Sequence, residues 1–235
     1  MTLNIVQKIV IWAVPVVFAI TLHEVAHGLV AWRLGDPTAK MVGRLSLNPI
    51  RHVDPVGTVL VPLGLLLLSS FFGGGAFLFG WAKPVPIGVR NLKHQRRDMA
   101  LVSAAGPLAN LFMAAFWALM IRAGFDLTST WPALGRPLAL AGAAGVSINS
   151  LLCAFNLLPL PPLDGGRLVS SLLPPRLSSR YDRIEPFGFM ILIGLLFVGA
   201  LGWVLGPLIL WLGYLFSHVA GITPYALFGL IRALY

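Results

Sequence analysis

The sequence predicts an α-helical multi-pass membrane domain, with about five to six transmembrane helices, a re-entrant segment and short membrane-associated β strands. Three observations carry this. Hydrophobic residues make up 57% of the 235 residues and charged residues only 11%, too little charge to cover a soluble domain of this length. The apolar residues gather into runs near the ~20 residues that cross a bilayer as a helix. The 17 Lys and Arg, set against 8 Asp and Glu, cluster between those runs, as they do in cytoplasmic loops.

The first run predicts a helix over 5–33. It is too long for a signal-peptide h-region and carries His23, Glu24 and His27, so it is read as mature structure. Segment 33–53 follows with Arg33, Lys40, Arg44 and Arg51 against Asp36. The next apolar run, 54–80, is interrupted by Gly73, Gly74 and Gly75, which weaken a continuous helix. Segment 81–98 beyond it is again basic, with Lys83, Arg90, Lys93, Arg96 and Arg97 against Asp98. A single span at 54–80 would put two basic segments on opposite faces, against the charge rule. The run is therefore expected to enter and return, with one ordinary span as the alternative. Val42–Leu47 and Trp81–Ile87 read as short extended pieces, the second restricted to an edge by Pro84 and Pro86, or else as plain connectors. Further helices are expected at 98–122, 138–160, 186–202 and 204–220. Segment 161–185, with Pro161, Pro162, Gly165, Gly166, Pro174 and Pro175, reads as a loop region. The whole of 1–235 forms one integral-membrane domain on this reading, a catalytic core at about 5–170 followed by accessory helices at about 186–235.

The formal charge of +9 would suggest nucleic acid in a soluble protein. Here it lies between apolar runs and no aromatic–basic recognition module accompanies it, so the lipid bilayer is the expected partner and nucleic acid is not. The single cysteine, Cys153, can form neither an intrachain disulfide nor a cysteine zinc cluster. His52 and His94 fall in basic loops, and His218 in the last run reads as a helix-packing residue.

His23-Glu24-Val25-Ala26-His27 carries the chemistry. On a helix the two histidines stand one turn apart on one face. They can bind one Zn²⁺ while Glu24 lies beside the metal to take a proton from its water. Ionisable groups within an apolar span are costly unless paired or metal-bound. Zinc sites of catalytic type take three protein ligands, and among the remaining acids Asp164 is the best candidate. It ends the stretch Asn156-Leu157-Leu158-Pro159-Leu160-Pro161-Pro162-Leu163-Asp164-Gly165-Gly166, where prolines stop regular helix and Gly165 permits a tight turn that can aim the carboxylate back at a metal. Gly106 lets helices approach closely, and Asn110 lies one turn further on the same face. Asn110 and Asn156 each need a hydrogen-bond partner if buried, which a simple interhelical contact would also supply.

Taken together, His23–His27, Gly106-Pro107-Leu108-Ala109-Asn110 and Asp164-Gly165 resemble the site-2 protease family of intramembrane metalloproteases. Gly43-Arg44-Leu45-Ser46-Leu47-Asn48-Pro49 and Gly80-Trp81-Ala82-Lys83-Pro84-Val85-Pro86 resemble a compact prokaryotic branch of it without PDZ or CBS domain. The likeness covers roughly 15–170. It implies one Zn²⁺ held by His23, His27 and Asp164, Glu24 as general base, Asn110 shaping the site, and Asn156 holding the substrate backbone or the developing oxyanion. It implies hydrolysis of transmembrane segments of other proteins at a prokaryotic plasma membrane. The charge pattern puts 33–53, 81–98 and 161–185 on the cytoplasmic side, so both ligand segments end on one face. A zinc-binding transporter and a catalytically silent scaffold are the competing readings. Against the first, the chain shows one clustered site and no run of intramembrane acids; against the second, Glu24 is intact.

Overall fold

The computed structural model describes residues 3–52, 54–60 and 83–234. The chain opens with α1 (Ile5–Arg33), on the expected bounds. Its start is fixed by a capping box: Asn4 Oδ1 accepts from Gln7 N at 2.9 Å and Gln7 Oε1 from Asn4 N at 3.0 Å. It stops at Gly35, whose φ of +113° is open to glycine and strained for other residues. After the single turn α2 (Thr38–Met41) come α3 (Gln95–Thr128) and α4 (Pro132–Asn156). α5 (Asp164–Leu172) and α6 (Pro175–Tyr181) are short. The last three are α7 (Glu185–Phe197), α8 (Ala200–Ala220) and α9 (Pro224–Arg232).

Four of these, α1, α3, α4 and α8, are long and apolar enough to cross a membrane. Their outward faces keep apolar side chains uncovered: Ile9 and Val10 of α1 are 60% and 64% exposed, as expected of a surface that meets lipid rather than water. The expected helix at 186–202 is divided. Gly199 takes a left-handed φ of +73° that ends α7 at Phe197. Its 13 residues rise about 20 Å, short of the ~30 Å hydrocarbon core.

The core lies where α3 and α4 run antiparallel, with α1, α8 and α9 packed around them. Small residues set that approach. A Cβ on Gly142 would stand 2.8 Å from the Trp117 carbonyl, and one on Gly145 would stand 2.1 Å from Cγ of the Trp117 ring. In lipid, close backbone packing of this kind takes over from the hydrophobic effect in holding helices together.

The two expected strands do not form among the described residues. Val42–Leu47 is made of turns and bends, because Gly43 adopts φ +67° and Arg44 N turns back to Ala39 O at 2.8 Å. Lys83–Gly88 has no regular secondary structure and no partner strand among the described residues. Pro84 and Pro86 have no N–H to give, and three of the four remaining amides are taken elsewhere: Lys83 N by His52 O, Val85 N by Glu24 Oε2 and Gly88 N by Asp36 Oδ2. Trp81 and Ala82 lie outside the described residues. So does 61–80, and with it most of the expected re-entrant segment. Its beginning, Pro55–Leu60, is a π-helical turn opened by Asp54 Oδ1, which accepts from Val56 N and Gly57 N.

Asp36, fully buried, ties the turn after α1 to the Gly88–Asn91 turn. Burial alone would raise its pKa, but donors from Asn91, Thr38 and Gly88 outweigh burial and hold it below the ordinary value. A depressed carboxylate pKa adds stability that is complete above the unfolded value of about 4 and is lost as pH falls through the folded one. The thermal midpoint is therefore expected to drop on acidification below about pH 4, and to drop less in Asp36→Asn; an equal acid loss in both would show that Asp36 is not a source of it.

Candidate metal centre

Two elements bring three ligand atoms together. His23 and His27 project from one face of α1, their rings edge to face with centroids 4.7 Å apart. Asp164 is the first residue of α5, where an acid also suits the positive end of the helix dipole. His23 Nε2 and His27 Nε2 are 3.1 Å apart, and Asp164 Oδ2 lies 3.2 Å from the first and 3.1 Å from the second. Both histidines are buried, at 8% and 6% exposure.

The far side of each ring settles what the near side offers. His27 Nδ1 is 2.7 Å from the Val102 carbonyl, which can only accept, so Nδ1 carries the proton. His23 Nδ1 is 2.7 Å from Asn110 Oδ1. That amide is itself oriented, since Asn110 Nδ2 donates to Asn149 Oδ1 at 2.9 Å and to Ala19 O at 3.2 Å. Asn149 in turn donates to Gly145 O. With Nδ1 the protonated nitrogen, the neutral form of each imidazole turns an Nε2 lone pair inward, toward a carboxylate oxygen. In that form three acceptors face one another, an arrangement that suits a cation between them. Zinc bound at about 2.0–2.2 Å sets neighbouring tetrahedral ligands roughly 3.3 Å apart, so the 3.1–3.2 Å triangle of two nitrogens and an oxygen fits that ion.

Gly106 forms the floor. A Cβ there would stand 2.3 Å from His27 Nε2 and 2.7 Å from His23 Nε2. Gly165 plays the matching part beneath Asp164: a Cβ would come within 2.4 Å of the Leu157 and Leu158 carbonyls, so its absence lets α5 begin directly against the end of α4. Glu24, half-buried and next to His23, accepts from Val85 N at 2.8 Å through Oε2.

Of the residues singled out in the sequence, His23, His27 and Asp164 converge, Gly106 touches both imidazoles, and Asn110 stands directly behind His23. Asn156 is not joined to them by a hydrogen bond among the described residues; its Nδ2 donates to Leu152 O of its own helix at 3.0 Å. Asn149 and Val85 were not foreseen. The first had a signal, an amide four residues after Gly145 in a run of small apolar residues. The second lies in the Gly80–Pro86 stretch already singled out, but nothing there marked its amide as a donor to Glu24.

Helices long and apolar enough to cross a membrane, with two histidines and an aspartate around a metal-sized space, are what an integral-membrane zinc metalloprotease requires. Comparison with known proteins agrees. Peptidase family M50 matches residues 133–199. YwhC of Bacillus subtilis, described by name as a zinc metalloprotease, is 38% identical over 83% of this chain and 84% of its own. Rip2 of Mycolicibacterium smegmatis, described likewise, is 29% identical over 88% and 73%. Rip2 of Mycobacterium tuberculosis is 31% identical over 83% and 69%. No solved structure matches. The chain belongs to peptidase family M50, the site-2 protease family. It is a zinc enzyme and its substrate is protein.

Proposed function

We propose that this protease cuts peptide bonds of transmembrane segments inside the bilayer, with His23, His27 and Asp164 holding the zinc and Glu24 acting as general base. The observation that carries the reading is the depth of the converging lone pairs. His27 and His23 lie six and ten residues before the end of α1 at Arg33, about 9 and 15 Å along its axis. A hydrocarbon core of about 30 Å would place them within its first half.

Zinc bound there supplies Lewis acidity and an acidified water. The chain's own residues do the rest. Glu24, with Oε2 held by the Val85 amide, keeps Oε1 to take the water proton and return it to the leaving nitrogen. Asn110 fixes the His23 tautomer. A helical substrate must unwind to expose its peptide bond, and the Lys83–Gly88 stretch beside Glu24 offers a surface for the unwound form. Asn156, at the end of α4, is assigned the substrate backbone or oxyanion by family resemblance alone.

The basic ends of α1 and α3 support a cytoplasmic site in a prokaryotic plasma membrane. Arg44, Arg51 and Lys83 line a cavity of about 340 Å³ at this end, suited to the anionic headgroups of the inner leaflet. The same charge argument keeps 54–80 as a re-entrant segment, and the single domain divides into a core at about 5–170 and accessory helices beyond 186.

The test is cleavage of a model transmembrane substrate in proteoliposomes, with the cut mapped by mass spectrometry. Cuts inside the hydrophobic segment are expected, on its cytoplasmic half. Cuts confined to soluble flanking loops would overturn the intramembrane reading and leave a membrane-bound loop protease. For Asn110→Ala, zinc affinity is expected to fall roughly 10- to 100-fold, measured by competition with a chelating dye. A fall in kcat with unchanged zinc affinity would instead favour a direct role toward substrate.

A further inference from the structure

We propose that Asp36 is the positioning residue of the catalytic base: it clamps the Lys83–Gly88 stretch so that the Val85 amide holds one oxygen of Glu24. This rests on Glu24 being the base and goes beyond it, because Asp36 stands outside the metal centre and touches none of its ligands.

The clamp has two sides. From its own turn, Asp36 Oδ1 accepts from Thr38 N at 3.1 Å and from the Thr38 hydroxyl. From the other segment, Oδ2 accepts from Gly88 N at 2.6 Å and Oδ1 from Asn91 Nδ2 at 2.8 Å. The carboxylate is completely buried, so these donors stand in for its water, and losing them would leave a buried charge unpaired. Gly88 is what allows the contact: a Cβ there would be 2.5 Å from Asn91 Nδ2 and 3.0 Å from Asp36 Oδ1.

The stretch transmits this position. It is fixed at Lys83 by the His52 carbonyl at 2.9 Å, at Gly88 by Asp36, and between them at Val85 by Glu24 at 2.8 Å. Pro84 and Pro86 fix their own φ on either side of Val85, so fewer torsions are free to absorb a shift at Gly88 before it reaches Val85. Val85 is itself seated, 6% exposed, with its Cγ1 2.9 Å from where Gly28 would carry a Cβ, one residue past His27. Among the described residues Val85 is the only hydrogen-bond donor to the Glu24 carboxylate. One oxygen bound to a rigid amide fixes the direction of the other. For a proton acceptor, a misplacement of about 1 Å can cost on the order of 100-fold in rate.

Asp36→Ala and Val85→Pro test this in the full-length, zinc-loaded protein. Val85→Pro deletes the N–H at a position that Pro86 already biases toward extended backbone. Each is expected to lower kcat at saturating substrate by about 10- to 100-fold while one zinc per chain is retained. The double variant is expected to be little worse than Val85→Pro alone, because Asp36 acts through that amide; independent, multiplying losses would overturn the proposal, as would parental kcat in zinc-loaded Val85→Pro. Should Asp36→Ala not fold, Asp36→Asn, which keeps the side-chain shape, takes its place in the same kcat reading, and parental kcat in it would overturn the role of the Asp36 carboxylate. Glu24→Gln separates the two levels: if it still cuts, the base assignment is wrong; if it is dead while Val85→Pro cuts at the parental rate, only the positioning role fails.

Discussion

Glu24→Gln is expected to lower the rate of cleavage by roughly 10²–10⁴-fold while the chain keeps its zinc. The substitution preserves shape, and an amide oxygen can still accept from the Val85 N–H that now meets Oε2 at 2.8 Å. The three ligand atoms, 3.1–3.2 Å from one another, are untouched. What is lost is the ability to take a proton from water. Cleavage by purified protein and zinc counted by mass spectrometry are to be read side by side. Cleavage by the parent only, with equal zinc in both, establishes Glu24 as the base. Undiminished cleavage by the variant would remove it from the chemistry. Zinc flux into vesicles at the same rate in parent and variant, with no cleavage of a varied substrate panel, would identify transport as the activity of this chain instead. A scaffold would trap substrate through Glu24→Gln and show no cleavage by the parent.

The parts of the fold legible in the sequence are those governed by local chemistry. The Asn4–Gln7 capping box and Gly35 bracket α1 on its expected bounds, and the histidine spacing puts two imidazoles on one face whatever surrounds them. Asp164 was legible because prolines and glycines leave few directions for its turn. The errors are instructive for the same reason. Val42–Leu47 has the β-branched and apolar residues of a strand, yet one left-handed glycine folds it back on Ala39. The helix expected at 186–202 is apolar throughout, yet Gly199 divides it. The least legible features are long-range. Asp36 reads as one loop acid among several until its partners Gly88 and Asn91 arrive from more than fifty residues away. Asn149 looks like a stray amide in a run of Ala and Gly, until it is seen to orient the Asn110 side chain that orients His23.

Gly106→Ala is expected to disable the metal centre, an effect opposite in sign to what local propensity predicts. Gly106 sits in the interior of α3, where alanine normally stabilises a helix by about 1 kcal/mol. By that measure the variant would be the more stable protein. The packing says otherwise for the metal. The new methyl would stand 2.3 Å from His27 Nε2, 2.5 Å from His23 Cε1 and 2.7 Å from His23 Nε2, on the two nitrogens whose lone pairs face Asp164. The rings cannot turn away cheaply. His23 is held behind by Asn110 and His27 by the Val102 carbonyl, each at 2.7 Å, so either α1 and α3 separate or both imidazoles leave their positions. Losing a group that orients a metal ligand costs about 10- to 100-fold in metal affinity; displacing two ligands directly is expected to exceed that, on the order of 10³-fold, with cleavage lost in parallel. Zinc affinity by chelator competition and thermal unfolding of the apo protein are to be measured together. A zinc-depleted variant with an unchanged or raised apo midpoint places the damage at the ligands. Full zinc occupancy with normal cleavage would mean that α1 and α3 have room to part, and that the close approach at Gly106 does not set the geometry of the centre.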